Sequence, residues 1–227
     1  MQNSIKNSER GFTLVELLIA MAISLVVLTS LSSAFISQRK IYDAQEQVTE
    51  MIQGARGAMD IISREIRMAG YAPTGYDSEF ESDPTASQTS PMMQRTDPTS
   101  TRFVGIPYST SQLGIGADLN GDGVIDATNE NLNYTYNGTD HQIIRSEVKI
   151  VSGTATTTDL PLSENIQSFT FQYYDSDGNA TTTTADIRQI DIKITARTSK
   201  PDPNYGQNSG YRTYTLSTYV TPPNLDL

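Results

Sequence analysis

Ser8-Glu9-Arg10-Gly11-Phe12-Thr13-Leu14-Val15-Glu16-Leu17-Leu18-Ile19-Ala20 opens an apolar run that continues to Ile36 and closes on Arg39-Lys40. Between Phe12 and Ile36 the only charge is Glu16. At the α-helical rise this run spans roughly 37 Å, enough to cross the hydrocarbon of a bilayer with some tilt. A lone carboxylate in that setting costs at least about 2.5 kcal/mol to insert, so Glu16 calls for a partner or a function. A secretory signal would have a shorter apolar core ending in small residues. Ser30 to Ala34 mimics such an end but leaves Glu16 unexplained.

The helix does not stop with the apolar run. Ile41, Ala44, Val48, Met51, Ile52, Ala55, Met59, Ile62 and Ile66 follow at spacings of three and four, one stripe of an amphipathic helix. Asp43, Glu46, Glu50, Arg56, Asp60, Arg64, Glu65 and Arg67 read as its solvated face. No proline falls between Phe12 and Ala72, and Gly70 with Pro73 is a stop signal. The pattern predicts one helix over about residues 12–69, roughly 87 Å long. Its stripe needs a cover.

Beyond it, Pro73, Pro84, Pro91, Pro98 and Pro107 recur among Ser, Thr, Asp and Gly, so 71–116 reads as a long irregular loop with a short strand at Phe103–Ile106. Strand signals then take over. Asn133–Tyr136 and Gln142–Ile150 flank the turn Asn137-Gly138-Thr139-Asp140. Ile166–Tyr174 precedes the turn Asp175-Ser176-Asp177-Gly178-Asn179; Ile187–Ala196 alternates on Ile190, Ile192 and Ile194; Thr213–Val220 alternates again. The Thr runs 154–158 and 181–184 read as exposed loops or strand edges. Alternation of this kind predicts an antiparallel sheet with one buried face, and the stripe of 41–66 is the candidate cover. The class is α+β.

The chain has 227 residues, a formal net charge of −10 and no cysteine. An acidic surface repels phosphate backbones, so no nucleic-acid partner is expected. Without thiols, disulfide staples, thiol catalysis and cysteine zinc sites are excluded.

The Gly11-Phe12-Thr13-Leu14-Val15-Glu16 string resembles the N-terminus of a type IV prepilin, in which a hydrophilic leader is cut after Gly and Glu is the fifth mature residue. The resemblance implies a leader at 1–11, cleavage between Gly11 and Phe12 by prepilin peptidase, and N-methylation of Phe12. It implies a span at 12–36, the amphipathic half of the same helix at 37–70, and a β-rich domain at 71–227. Glu16 would pair with the amine of a neighbouring subunit's first residue, since opposite charges in a low-dielectric filament core relieve each other's desolvation. Lys6 and Arg10 ahead of the span favour a cytoplasmic N-terminus. The pilin fold, a long N-terminal helix with its second half on an antiparallel sheet, follows.

Arg64-Glu65-Ile66-Arg67-Met68-Ala69-Gly70-Tyr71 is similar to the helix end of PilW-type minor pilins and of the J-type pseudopilins of type II secretion. Glu164-Asn165-Ile166 with Phe169, Phe171 and Tyr173, and Asp186–Ile190 running into Ile194–Arg197, resemble strands of the same families. After Val220, where relatives often carry Arg-Asn, this chain has Thr221-Pro222-Pro223-Asn224. The resemblance implies a minor pilin held in the bacterial inner membrane by a single pass, with its head outside the cytoplasm. It then enters a pilus with other pilins, in a priming or tip complex. A pseudopilin at the tip of a secretion filament is the alternative within the fold.

Asp118-Leu119-Asn120-Gly121-Asp122-Gly123-Val124-Ile125-Asp126 matches the start of an EF-hand-like calcium loop. Its candidate ligands are Asp118, Asn120, Asp122, the Val124 carbonyl, Asp126 and, one place beyond the usual closing position, Glu130. The alternative is an Asx-rich turn with no metal. A membrane-anchored hydrolase would have to use His141, the only histidine, beside Asp140 at a predicted turn. No nucleophile motif accompanies it, so the chain reads as a non-enzyme with no required cofactor.

Overall fold

In the computed structural model of the chain, the described residues are 11–73, 98–100, 102–151 and 154–225. The leader up to Arg10 and most of the irregular loop, including Pro84 and Pro91, lie outside them. Helix α1 spans Leu14–Ile66. Seven strands follow: β1 (Gln112–Gly116), β2 (Asn131–Asn137), β3 (Gln142–Val151), β4 (Thr154–Ser163), β5 (Ile166–Tyr174), β6 (Gln189–Arg197) and β7 (Thr213–Val220). The chain divides into two compact units, residues 1–46 and 47–227, with the boundary inside α1.

In the first unit, every large apolar side chain from Phe12 to Ile36 is more than half exposed. Three hydroxyls in this run are satisfied locally. The hydroxyls of Ser24, Thr29 and Ser30 donate to the carbonyls of Ala20, Leu25 and Val26, four residues back, at 2.7–2.9 Å. Among the described residues α1 is the helix long and apolar enough to cross a membrane.

In the second unit the expected single sheet is two antiparallel sheets, ordered β1-β2-β3-β4 and β5-β6-β7. The predicted stripe is the cover. Met51, Ala55, Met59, Ile62 and Ile66 share one core with Leu113, Leu132, Tyr134 and Ile143 of the first sheet. The same core takes in Ile166, Phe169, Ile190, Ile192 and Ile194 of the second.

Two expectations need correction. Residues 112–116, placed in the irregular loop, form β1, whose Leu113 and Ile115 are buried. Phe103–Ile106 is no continuous strand: Phe103 and Gly105 are isolated bridge residues, and Gly105 pairs with Gly116. The Thr run 154–158, read as an exposed loop or strand edge, is the latter: it is the exposed body of β4, at the edge of its sheet and paired along β3 from Val151↔Thr154 to Ile144↔Pro161.

The helix ends where Gly70 and Pro73 put it. Gly70 takes φ +78°, the left-handed region, and a Cβ there would meet Leu225 Cδ2 at 2.6 Å. The C-terminal segment closes this end. Asn224 Nδ2 donates to the carbonyls of Arg67 and Ala69 at 3.3 and 3.4 Å, and Leu225 is buried in the core. Thr221-Pro222-Pro223-Asn224 thus supplies a cap for the last turn of the helix.

Candidate functional site

Gly11 and Phe12 lie just ahead of α1, and Phe12 is 88% exposed. Thr13 is the cap. Its backbone N–H donates to Glu16 Oε2 at 3.1 Å, while the Glu16 N–H donates to Thr13 Oγ1 at 3.2 Å. The Thr13 hydroxyl adds a third bond to the same carboxylate oxygen at 3.1 Å. This is the reciprocal capping box, Thr-x-x-Glu, in which two of the helix's orphan N–H groups are satisfied by side chains. The acid also sits in the first turn, where the helix dipole favours negative charge. Within one subunit, then, Glu16 has a local partner in Thr13. The Thr13-to-Glu16 spacing carried that signal in the sequence.

The loop 118–130 turns its carboxylates onto its own backbone. Asp118, fully buried, accepts from the N–H groups of Gly121 at 2.7 Å and Gly123 at 3.1 Å. Asn120 Oδ1 accepts from the Asp122 N–H, and Asp122 Oδ1 from the Val124 N–H, both at 2.9 Å. The Asn120 amide donates to Asp122 Oδ2 at 2.9 Å. Gly121 and Gly123 take φ of +79° and +83°, which the spiral requires.

Glu130, also fully buried, is the hub of this loop. Its Oε1 accepts from the N–H groups of Leu119 and Asn120 at 3.0 and 3.1 Å. Its Oε2 accepts from those of Asp126 and Ala127 at 3.1 and 2.8 Å. Four N–H bonds occupy the acceptor sites of this carboxylate. Among the described residues no group of three or more His, Cys, Asp or Glu side chains is arranged to hold a metal ion. For Glu130 to ligate a cation with both oxygens it would have to give up amide bonds.

A polar network missed in the sequence adjoins this loop. Glu65, read as part of the solvated face, is 7% exposed. It accepts from Arg145 Nε at 3.1 Å and Nη2 at 3.1 Å, and from the Tyr134 hydroxyl. Arg145 Nη2 also donates to Asn129 Oδ1 at 2.7 Å, and the Asn129 N–H donates to Glu147 Oε1 at 2.7 Å. Burial pushes the Tyr134 hydroxyl well above the ordinary phenol value, and its bond to the Glu65 carboxylate raises it further. Burial would lower the Arg145 guanidinium, but Glu65 outweighs it and holds it above its ordinary value. One signal was available: Glu65 falls seven residues after buried Ala58 and three after Ile62, inside the stripe rather than opposite it.

His141 takes φ +55° in the β2–β3 turn, and its Nδ1 lies 3.3 Å from the Tyr136 hydroxyl. That hydroxyl also reaches the Gln167 carbonyl at 2.7 Å, so the ring serves a junction between the two sheets.

Residues 6–32 match the prokaryotic N-terminal methylation motif, and with this fold they define a type IV prepilin-like protein. Residues 44–221 match the family described as prepilin peptidase-dependent protein B, and the chain belongs to that family. Among solved structures it is similar to the type IV-like pilin TTHA1219 from Thermus thermophilus. That similarity has a TM-score of 0.43 and 11% identity, covering 77% of this chain and 97% of that one. No curated protein matches it in sequence. The pilin-like families it matches are structural, and the chain is not an enzyme.

Proposed function

We propose that this chain is a minor pilin of the PilW type. Prepilin peptidase cuts it between Gly11 and Phe12 and methylates the new amine of Phe12. Phe12–Ile36 holds it as a single pass in the inner membrane, with the β-rich head outside the cytoplasm. It leaves the bilayer to join other pilins in the priming or tip complex of a type IV pilus. The observation that carries this reading is the uncovered apolar half of α1, headed by exposed Phe12 and by Glu16, within the methylation motif. Such a helix is stable only in lipid or among like helices. Glu16 is the residue expected to trade its local partner for the amine of a neighbouring subunit.

Mass spectrometry of the mature protein tests the reading. The expected N-terminus is methylated Phe12; an intact leader, or cleavage near Ala34, would sink it.

We further propose that the loop 118–130 is closed by Glu130 and not by a calcium ion. The four amide bonds to its carboxylate support this.

A further inference from the structure

β4 is the last strand of the four-stranded sheet, paired on one side with β3. From Thr154 to Pro161 its residues are exposed on both faces, so this part of the strand is held by its ladder to β3 and not by packing. A free strand edge presents a row of unpaired N–H and C=O groups, and soluble proteins commonly blunt such edges with lysine, inward charges, proline or bulges. Here Thr154-Ala155-Thr156-Thr157-Thr158-Asp159-Leu160 carries no lysine and no proline, and its only charge is Asp159. Pro161 and the register shift opposite Ile143–Ile144 end the regular edge. Among the described residues the edge is open over seven residues, close to a typical strand.

We infer that the outer edge of β4 pairs antiparallel with β4 of a second copy of this chain, centred on Thr157. The edge is self-complementary in that register. Thr157 faces Thr157, Thr156 faces Thr158, and Asp159 faces Ala155, so no like charges stand opposite each other. Cross-strand threonine pairs are favourable, and a twofold interface needs the same patch on both partners. A highly charged strand from a different protein gains little from an edge with one charge; an identical threonine-rich strand, whose single Asp159 falls opposite Ala155, fits. The inference concerns the head domain and goes beyond the pilus reading, since it requires neither cleavage at Gly11 nor a filament.

The absence of cysteine makes the test direct. Directly opposed residues of an antiparallel pair lie about 4.5–5.5 Å apart at Cα, within the roughly 4.4–6.8 Å that a disulfide spans. The full-length chain carrying Thr157→Cys is oxidised in membranes, with Ser217→Cys on the exposed face of β7 as the collision control. A dimer of twice the chain mass with Thr157→Cys, and monomer with Ser217→Cys, is expected. Thr157→Lys, which sets two ammonium groups face to face on an exposed edge, should abolish co-purification of two differently tagged copies. Monomer with Thr157→Cys, equal cross-linking at both positions, cross-linking to a subunit of another mass, or co-purification that survives Thr157→Lys would overturn the inference.

Discussion

Glu65, near the C-terminal end of α1, holds Arg145 of β3 through both Nε and Nη2 at 3.1 Å, across eighty residues of sequence. The pair is almost wholly withdrawn from water, with side-chain exposures of 9% for Glu65 and 13% for Arg145. It ties the C-terminal end of the helix to the first sheet. Through Asn129 it also reaches the loop that Glu130 closes. Helix end, sheet and loop are therefore one polar assembly set into an apolar core.

Breaking this pair from one side leaves a buried charge without its counter-ion. Glu65→Ala or Arg145→Ala is expected to destabilise the head by about 3–5 kcal/mol. The double replacement Glu65→Leu with Arg145→Met removes both charges and should recover much of that loss. Urea unfolding of the three variants checks this. Equal losses in single and double variants would mean that the pair acts through packing alone.

The Tyr134 hydroxyl gives the same assembly a pH signature. Its folded value lies above the ordinary 10.0, so the folded state keeps this proton after the unfolded chain has released it. Stability from this group is full below pH 10 and is lost as pH rises toward the folded value. Tyr173 is raised in the same direction by burial, so Tyr134→Phe should reduce the alkaline slope without removing it. Tyr134→Phe also takes one donor from Glu65, a cost of about 1–3 kcal/mol at neutral pH. Unfolding midpoints from pH 8 to 11 read both effects. An unchanged slope would remove Tyr134 from the account.

The lock at Glu130 predicts a loop indifferent to calcium. Calorimetric titration of the full chain in detergent with millimolar calcium is expected to show no uptake, and its melting temperature should not move. Glu130→Ala frees four part-buried N–H groups at once, each worth up to about 1 kcal/mol when left unpaired. That variant should lose several kcal/mol and become protease-sensitive between Asp118 and Glu130. Heat uptake in the parent that disappears with Asp118→Asn would reverse the conclusion.

Much of this fold was legible in the chain because period and punctuation agree. The stripe from Met51 to Ile66, the stop at Gly70 and the alternation of Ile190, Ile192 and Ile194 all became the elements expected of them. β1 was not legible, since Gln-Leu-Gly-Ile-Gly offers two apolar residues, each followed by a glycine, and depends on pairing with β2 for its existence. In β3 alternation alone points the wrong way. Ile144, Val148 and Ile150 are the apolar set, yet Ile143 and Glu147 are the buried ones, with Arg145 on the same face. That face turns inward because Glu65 and Asn129 await its charges, and partners eighty and sixteen residues away leave no trace in a local window. The N-terminal site was legible as residues but not as geometry: the span and Glu16 stand out at once, while the Thr13–Glu16 box emerges only with the helix start.

That box separates two roles of Glu16 that a truncation to alanine would merge. Gln serves at the third helical position of a capping box as well as Glu does, but it carries no charge. Glu16→Gln should therefore keep the helix start and the methylated Phe12 terminus yet fail to enter filaments, because the amine of a neighbouring subunit would stay unneutralised in a dry core. Thr13→Ala removes the cap and keeps the carboxylate, so the helix start should fray while incorporation persists. Mass spectrometry of the processed terminus and the amount of the chain in sheared pili read the two variants apart. Normal incorporation of Glu16→Gln would show that the charge is dispensable and that the carboxylate serves its own helix.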